Sequence, residues 1–187
     1  MSDSLRVELD QLHRQVQQLM AREAVRARML SVARAYDRLD RELMLEQFWP
    51  DATVDYGVFY QGGILGFIDV AMSFQGAMRD TQHLLGNIAV QVEGNTAHAE
   101  SYVHAYHVTK EDGALVQLIV GARYLSRFAY RQEEWRITYQ TEVLDWGRRL
   151  PIAEQWFEQN REMPKGRRDR SDLSYQLLAT RGAAPNT

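Results

Sequence analysis

Four of the five histidines lie close together in the sequence, at positions 83, 98, 104 and 107. The fifth, His13, stands near the start of the chain among glutamine and arginine residues, as solvated surface histidines do. A histidine held by a carboxylate can take up and release a proton near neutral pH, which is what proton abstraction beside a carbonyl group or an arene requires. The clustering of His83, His98, His104 and His107 therefore indicates acid–base catalysis as the chemistry to look for.

The stretch THAESYVHAYHV, residues 96–107, contains three of these histidines and alternates unevenly. Because the side chains of a strand alternate between two faces, its even positions place large groups with hydrogen-bonding atoms on one face. These groups are Thr96, His98, Glu100, Tyr102, His104 and Tyr106. Two interpretations remain open. The face is either exposed or in a subunit interface, or it lines a pocket in which His83 on the neighbouring strand faces His104 or Tyr106.

The same histidines do not predict a metal site. His98 and His104 share a face but lie about 20 Å apart along a strand that rises about 3.3 Å per residue. His104 and His107 point to opposite faces unless a bulge intervenes. The chain has no cysteine, and it lacks a glycine-rich phosphate loop, a GxSxG motif and an HExxH motif. Thiolate, nucleotide, serine-hydrolase and zincin chemistries therefore have no support in the sequence.

The candidate carboxylate partner is Asp37, which follows Tyr36 near the end of a predicted helix. Apolar spacing predicts one helix from Leu5 and a second helix up to about Leu39, with a break near residues 20–22. A short third helix ends before Pro50, because a residue that precedes proline avoids the α region. Asp37 is then either half of an acid–base pair or a solvated residue at a helix end.

Strand-like segments dominate the chain after Pro50. A short strand and one more helix precede four strand-like runs, which are separated by the short connections EGN, KEDG and RQEE. The four runs cover residues 82–92, 96–109, 114–130 and 134–146. Helices followed by one antiparallel meander place the fold in the α+β class.

Composition narrows the classes of partner. Of the 187 residues 45% are hydrophobic, and 22 Lys and Arg residues against 25 Asp and Glu residues give a formal net charge of −3. A basic field that could bind nucleic acid is therefore not expected. No apolar stretch approaches the roughly 20 residues of a membrane span, and the charged opening MSDSLRVELDQLHRQ is unlike a signal peptide. We expect a cytoplasmic protein that binds neither nucleic acid nor membrane.

Three segments carry a resemblance to a known family. AYDRLDRELMLEQFWPDATVDYG starts at residue 35, TQH ends at His83, and EWRITYQTEVLDW starts at residue 134. In order and spacing they resemble scytalone dehydratase and the wider SnoaL-like branch of the cystatin-like, nuclear-transport-factor-2-like superfamily. That branch includes bile-acid 7α-dehydratase and hexachlorocyclohexane dehydrochlorinase. The resemblance covers roughly residues 5–147.

For the fold, the resemblance implies a cone-shaped α+β barrel. A curved antiparallel sheet would wrap around the N-terminal helices and leave a deep apolar pocket. Residues 1–147 would form this domain, and residues 148–187 would form a C-terminal extension that packs on it or on a neighbouring subunit. Relatives of this branch commonly form trimers through the outer sheet face, so we expect a homotrimer.

The resemblance also implies the roles of the site residues. His83 would be the general base, and Asp37 would orient it and stabilise its imidazolium. Tyr36 and Tyr56 would donate hydrogen bonds to a substrate oxygen. Beyond the resemblance, we expect His104 or Tyr106 to act as the acid at the leaving group. No cofactor and no metal are implied.

Two positions depart from the pattern of scytalone dehydratase. Its second pocket histidine aligns with Tyr106. His104 lies two residues earlier on the same face of the strand, and a bulge would bring His107 onto that face. Its pocket asparagine aligns near Tyr124, beside Arg123. An apolar wall is expected from the helix before the meander. The residues expected to contact the substrate are Tyr106, His107, Arg123, Tyr124, Phe67 and Phe74.

The resulting hypothesis is a cofactor-independent lyase that eliminates water or a halide from a hydrophobic aromatic or polycyclic molecule. Two alternatives use the same His–Asp base: a retro-aldol lyase that releases formaldehyde from an aromatic diol, and a polyketide-cyclase-like isomerase. A third alternative is a cone that binds a small molecule without catalysis. A hydrogen bond of about 2.7–3.2 Å between His83 and Asp37 in a closed pocket would favour an enzyme.

Overall fold

The computed structural model describes residues 3–152 and 162–178. Two helices open the chain, and four consecutive strands follow the third helix, so the α+β class predicted from the sequence is confirmed. The helices are α1 (Asp3–Arg38), α2 (Arg41–Gln47), α3 (Ile64–Ala77) and α4 (Leu173–Leu178). The strands are β1 (Phe48–Asp55), β2 (Gln61–Gly63), β3 (Asp80–Glu93), β4 (Thr96–Glu111), β5 (Ala114–Arg131) and β6 (Glu134–Pro151). No helix within the two described ranges is both long and apolar enough to cross a membrane.

All six strands form one curved sheet in the order β2-β1-β6-β5-β4-β3. Strands β3 to β6 pair antiparallel with their neighbours in sequence, which is the predicted meander. β1 instead runs parallel to β6, so the sheet is mixed rather than wholly antiparallel. This pairing joins segments that are distant in sequence and that no hairpin connects. For that reason the residue pattern did not predict it.

α1 is one continuous helix of 36 residues, so the predicted break near residues 20–22 is wrong. The residues at that point, in the sequence AREA, are strong helix formers that give a helix no reason to stop. The interruption in apolar spacing marks a change in the face that the helix buries. Its buried residues all belong to the second part of the helix; they are Val25, Met29, Val32, Ala33, Ala35 and Tyr36.

The end of α1 is fixed by local geometry that also sets the position of Asp37. Leu39 adopts a positive φ of 50°, and Asp40 then caps α2 by accepting a hydrogen bond from the Leu43 amide at 3.0 Å. Tyr36, the residue before Asp37, is only 3% exposed. The last turn of α1 is therefore held between the core and the cap of the next helix.

Residues 162–178 lie across the ends of the first three helices. The Arg168 guanidinium donates to the carbonyl oxygens of Gln75 and Met78 near the end of α3, both at 2.6 Å. The Tyr175 hydroxyl donates to Asp40 at 2.6 Å. This part of the predicted C-terminal extension thus contacts the domain, and residues 153–161 and 179–187 lie outside the described residues.

Candidate active site

A cavity of about 380 Å³ opens between α1, α3 and the inner face of the sheet. Its apolar lining includes Phe67, Phe74, Leu118, Val120 and Leu144. Its polar lining is made by Tyr36, Tyr56, Gln75, His83, His107, Tyr124 and Glu142. A mostly apolar cavity of this size with a few convergent polar groups is typical of a site for a small organic molecule.

The structure brings His83 and Asp37 into direct contact in the wall of this cavity. The ring Nδ1 of His83 lies 2.7 Å from Asp37 Oδ1, and the His83 backbone N–H donates to Asp37 Oδ2 at 3.0 Å. The two side chains are 3% and 14% exposed. Because a carboxylate only accepts hydrogen bonds, Nδ1 carries the hydrogen and Nε2 is left as the basic nitrogen. The pair can take a proton from a bound molecule and stabilise the imidazolium that forms.

His107 is the second histidine of the cavity. Its ring lies edge-to-face with the His83 ring, with 5.2 Å between centroids, and its Nε2 is 3.4 Å from the Gln75 amide nitrogen. The pKa of His107 is lowered to about 4, mainly by burial and to a smaller extent by the charge of His83. His107 is therefore neutral at pH 7 and can contact a ligand without repelling a protonated His83.

The burial of neutral His107 predicts a loss of stability in acid. An unfolded histidine binds a proton below about pH 6.5, whereas folded His107 does so only near pH 4. The unfolded state binds more protons between these values, so the free energy of unfolding falls by up to about 3 kcal/mol as the pH drops from 6.5 to 4. Urea unfolding followed across this range measures the effect. His107→Gln should lose most of it, and an unchanged pH dependence in that variant would contradict the assignment.

His104 and Tyr106 lie on the other side of β4, so the prediction that either of them faces His83 is wrong. His104 is exposed, and its ring contacts Trp146 with 5.8 Å between centroids. His83 pairs with Ala105, and the inward positions of β4 are the odd ones. Small residues occupy most of these positions because they share one core with the side chains of α1. The large even residues therefore point outward, and His107 takes the place that His104 was expected to fill.

Arg123 also lies outside the cavity. It forms ion pairs with Glu100 and Asp145, each with an N–O distance of 3.0 Å. Its predicted contact with a substrate is therefore wrong, whereas the next residue, Tyr124, faces the cavity. The predicted contact residues that do line the cavity are Phe67, Phe74, His107 and Tyr124.

Tyr36 and Tyr56 belong to one hydrogen-bonded chain. The Tyr56 hydroxyl donates to Gln140 Oε1 at 2.9 Å, and the Gln140 amide nitrogen donates to Ser126 at 2.9 Å. The Tyr36 and Tyr56 hydroxyl oxygens are 3.5 Å apart. Since Tyr56 gives its only hydrogen to Gln140, it cannot also donate to a substrate, contrary to the role expected from the sequence. Its free oxygen can instead orient the Tyr36 hydroxyl.

Tyr124 is the third buried phenol of the site. Among the described residues no hydrogen-bond partner is found for its hydroxyl, which lies in the cavity wall with its ring 6.2 Å from that of Tyr56. Burial raises the pKa of Tyr36, Tyr56 and Tyr124, so all three remain neutral phenols. Tyr124 is thus a hydrogen-bond donor available to a ligand.

Glu142 is a cavity residue that the sequence analysis missed. It lies on β6 directly opposite Tyr124, on the same side as Gln140, and burial raises the pKa of its carboxyl group against a smaller opposing effect of His83. Within the described residues it makes no hydrogen bond or ion pair. The register shifts at Thr138, because Arg127 pairs with Tyr139 and Phe128 with Ile137. Inward positions therefore change from odd to even along β6, and no residue in the sequence signals this bulge.

The histidines and carboxylates of the site do not form a metal centre. In residues 3–152 and 162–178 there is no group of three or more such side chains that could hold an ion. What the site offers is one oriented base, one carboxyl group and several neutral donors.

Comparisons with known proteins agree with this architecture. Residues 17–141 match the SnoaL-like domain family. No curated protein gives a significant match. A protein from Novosphingobium aromaticivorans, provisionally named an aromatic ring hydroxylase, is 27% identical with a TM-score of 0.61, and the match covers 72% of this chain and 94% of that one.

Two further solved structures share the fold at lower identity. A scytalone dehydratase-like protein from Novosphingobium aromaticivorans is 18% identical with a TM-score of 0.64, over 74% of this chain and 97% of that one. Hexachlorocyclohexane dehydrochlorinase LinA-type3 from Novosphingobium barchaimii is 16% identical with a TM-score of 0.62, over 75% and 96%. The cystatin-like, nuclear-transport-factor-2-like fold implied by the sequence is confirmed.

Proposed function

This chain belongs to the SnoaL-like domain family, and on that premise we propose that it is a cofactor-independent lyase acting on a hydrophobic ring compound. The observation that carries the proposal is the 2.7 Å contact between His83 Nδ1 and Asp37 in the cavity wall. A cavity that only bound a ligand would have no use for a buried pair that fixes the tautomer of a base. The dehydrochlorinase and the scytalone dehydratase-like protein of the same fold favour an elimination as the reaction type.

In the proposed reaction, His83 Nε2 removes a proton from a carbon atom beside a carbonyl group or an aromatic ring. The electron pair of that C–H bond forms a C=C bond while the neighbouring C–O bond breaks. Glu142 gives its proton to the departing oxygen, so the products are an alkene and water. The imidazolium then returns its proton to the Glu142 carboxylate through water that enters after product release.

Glu142 suits the role of the acid because burial raises its pKa, which favours the protonated form of the carboxyl group. His83, with Asp37 beside it, suits the role of the base because its imidazolium is stabilised at the moment it forms. Two titratable groups with opposite tasks thus share one cavity, as concerted acid–base catalysis requires.

The apolar lining argues for the substrate class. Phe67, Phe74 and Leu144 can contact a flat ring. The cavity volume of about 380 Å³ lies in the range expected for a ligand of one to a few rings. Tyr124 is the donor proposed for the oxygen that gains negative charge as the proton leaves.

A comparison of two tyrosine variants tests this division of roles. Tyr124→Phe should lower kcat by about 10²-fold, because it removes a donor to the developing oxyanion. Tyr56→Phe should act mainly on stability, since it leaves the Gln140 carbonyl without its partner at a cost of about 1–3 kcal/mol. Steady-state kinetics and thermal unfolding of both variants distinguish the effects. The opposite ranking of the two kcat values would assign the substrate contact to Tyr56.

A substrate screen tests the function itself. The protein would be incubated with a panel of aromatic secondary alcohols and diols, with His83→Ala as the control, and the products identified by mass spectrometry. The expected product is the substrate less one molecule of water, formed by the wild type alone. Release of formaldehyde would identify the reaction as a retro-aldol cleavage instead of an elimination. Ligand binding without any product would identify a binding protein.

We further propose the homotrimer that the family relationship implies. The outer face of the sheet carries exposed apolar side chains that suit a subunit contact, and His104 lies among them. They include Leu84, Tyr102 and Trp146.

A further inference from the structure

α1 carries two apolar stripes rather than one. The inner stripe, Val25, Met29, Val32 and Tyr36, is between 0% and 3% exposed and belongs to the core. The outer stripe, Leu5, Leu9, Leu12, Val16 and Leu19, is between 44% and 64% exposed. Within each stripe the spacing alternates between four and three residues, but the step from Leu19 to Val25 breaks it.

This break turns the outer stripe away from the domain. With each residue advancing about 100° around the axis, the mean directions of the two stripes differ by about 150°. The outer stripe therefore cannot reach the core that the inner stripe fills, because both lie on one rigid helix.

The polar side of the same helical segment is the one that faces the domain. Gln11, Arg14, Gln18 and Ala21 line a groove together with Val92 and Gly94 from the turn between β3 and β4. A helix that merely lay on its own domain would place its leucines in that groove and its glutamines in water. The reverse arrangement indicates that the leucines meet another molecule.

The spacing of the outer stripe identifies the kind of partner. Apolar residues repeated every 3.5 residues form the seam of a coiled coil, in which each side chain fits between side chains of an equivalent helix. We propose that the outer stripe pairs with the outer stripe of a second copy of this chain. This proposal does not depend on the reaction that the cavity catalyses.

Charge supports a protein partner over a lipid surface. Residues 3–22 contain three acidic residues, Asp3, Glu8 and Asp10, and three arginines, Arg6, Arg14 and Arg22. A helix that binds anionic membranes through an apolar face usually carries an excess of basic residues beside it. Here the charges balance, as they do on the flanks of a helix that packs against its own copy.

The seam is short, but its helix is formed in advance. An isolated helix of this length would be marginal in water because starting a helix is costly. In α1 the buried second part has already started the helix, so the pairing of the outer stripe does not have to supply that free energy. A seam of five apolar positions can then add to the association of the folded domains.

Sedimentation equilibrium of the full chain tests the proposal. The stripe variant Leu9→Glu/Leu12→Glu would be compared with a control, Gln11→Glu/Gln18→Glu, which adds the same charge on the side that faces the domain. Glutamate is a good helix former, so neither variant should break α1. We expect the stripe variant to have at most half the wild-type mass or at least tenfold weaker association on dilution, with the control close to wild type.

Circular dichroism and thermal unfolding establish that both variants keep the fold. Equal masses and equal association for wild type, stripe variant and control would overturn the proposal. The proposal would also be overturned if the wild type sedimented with phosphatidylserine vesicles and Leu9→Glu/Leu12→Glu abolished this binding without changing self-association. The outer stripe would then bind lipid.

Discussion

Replacing His83 by alanine is expected to lower kcat by about 10³-fold or more, because it removes the base that Asp37 orients. Asp37→Asn should have an effect of similar size. An asparagine amide cannot neutralise the imidazolium, and its N–H groups favour the tautomer in which Nε2 carries the hydrogen. Steady-state kinetics on a substrate identified by the screen measure both effects.

His104→Ala is the matched control for this prediction. It removes the same side chain from the same pair of strands, at the residue directly opposite Leu84 on the outer face. Its kcat should remain close to that of the wild type. Thermal unfolding shows whether His83→Ala is folded. A folded His83→Ala protein with wild-type kcat would rule out the dyad as the base, as would equal losses in the two histidine variants.

Glu142→Gln is the second substitution expected to have a large effect. Glutamine has the shape of the protonated carboxyl group but no proton to give, so the cavity should stay intact while loss of water slows by about 10²–10³-fold. The pH profile adds a second measure. In the wild type, kcat should fall as the pH rises through the raised pKa of Glu142, since only the protonated form is the acid. Glu142→Gln should lack this fall.

A change of leaving group tests whether Glu142 donates a proton or only shapes the cavity. Chloride departs without being protonated, so a chloro analogue of the alcohol substrate has no need for the acid. Glu142→Gln should therefore slow the loss of water much more than the loss of chloride, whereas His83→Ala should slow both. Equal slowing of the two reactions by Glu142→Gln would show that Glu142 acts through shape or charge alone.

The order of most elements could be predicted because it depends on short-range features, whereas the pairing of His83 with Asp37 was expected from the family resemblance, since the residue pattern left Asp37 either paired or solvated. A helix that ends near Asp37 and a strand that begins near His83 can be recognised from apolar spacing and the connections between elements. The meander follows from four alternating runs with short connections. The catalytic roles assigned to these residues remain predictions, which the kinetic experiments above address.

The sequence failed where a long-range contact decides the outcome. On β4 the polar even positions left two interpretations open, a pocket face and an exposed or interface face, and α1 decides between them because it fills the inside of the sheet and leaves room there for alanine and serine. The small face is therefore the inner one, and Ala105 and His107, near the strand end, line the cavity. On β6 the bulge at Thr138 depends on pairing with β5, so the inward position of Glu142 could be found only from the register.

The hydrogen bond from the His83 backbone to Asp37 has a consequence for solubility. β3 is one of the two edge strands of the sheet, and the unpaired N–H and C=O groups of an edge strand can recruit a strand from another chain. α1 occupies two of these groups: Asp37 accepts from the His83 N–H at 3.0 Å, and Arg26 donates to the Ile88 carbonyl at 3.4 Å. The Asp37 carboxylate thus also covers part of this sheet edge, and we expect Asp37→Ala to expose it to pairing with a strand of another chain.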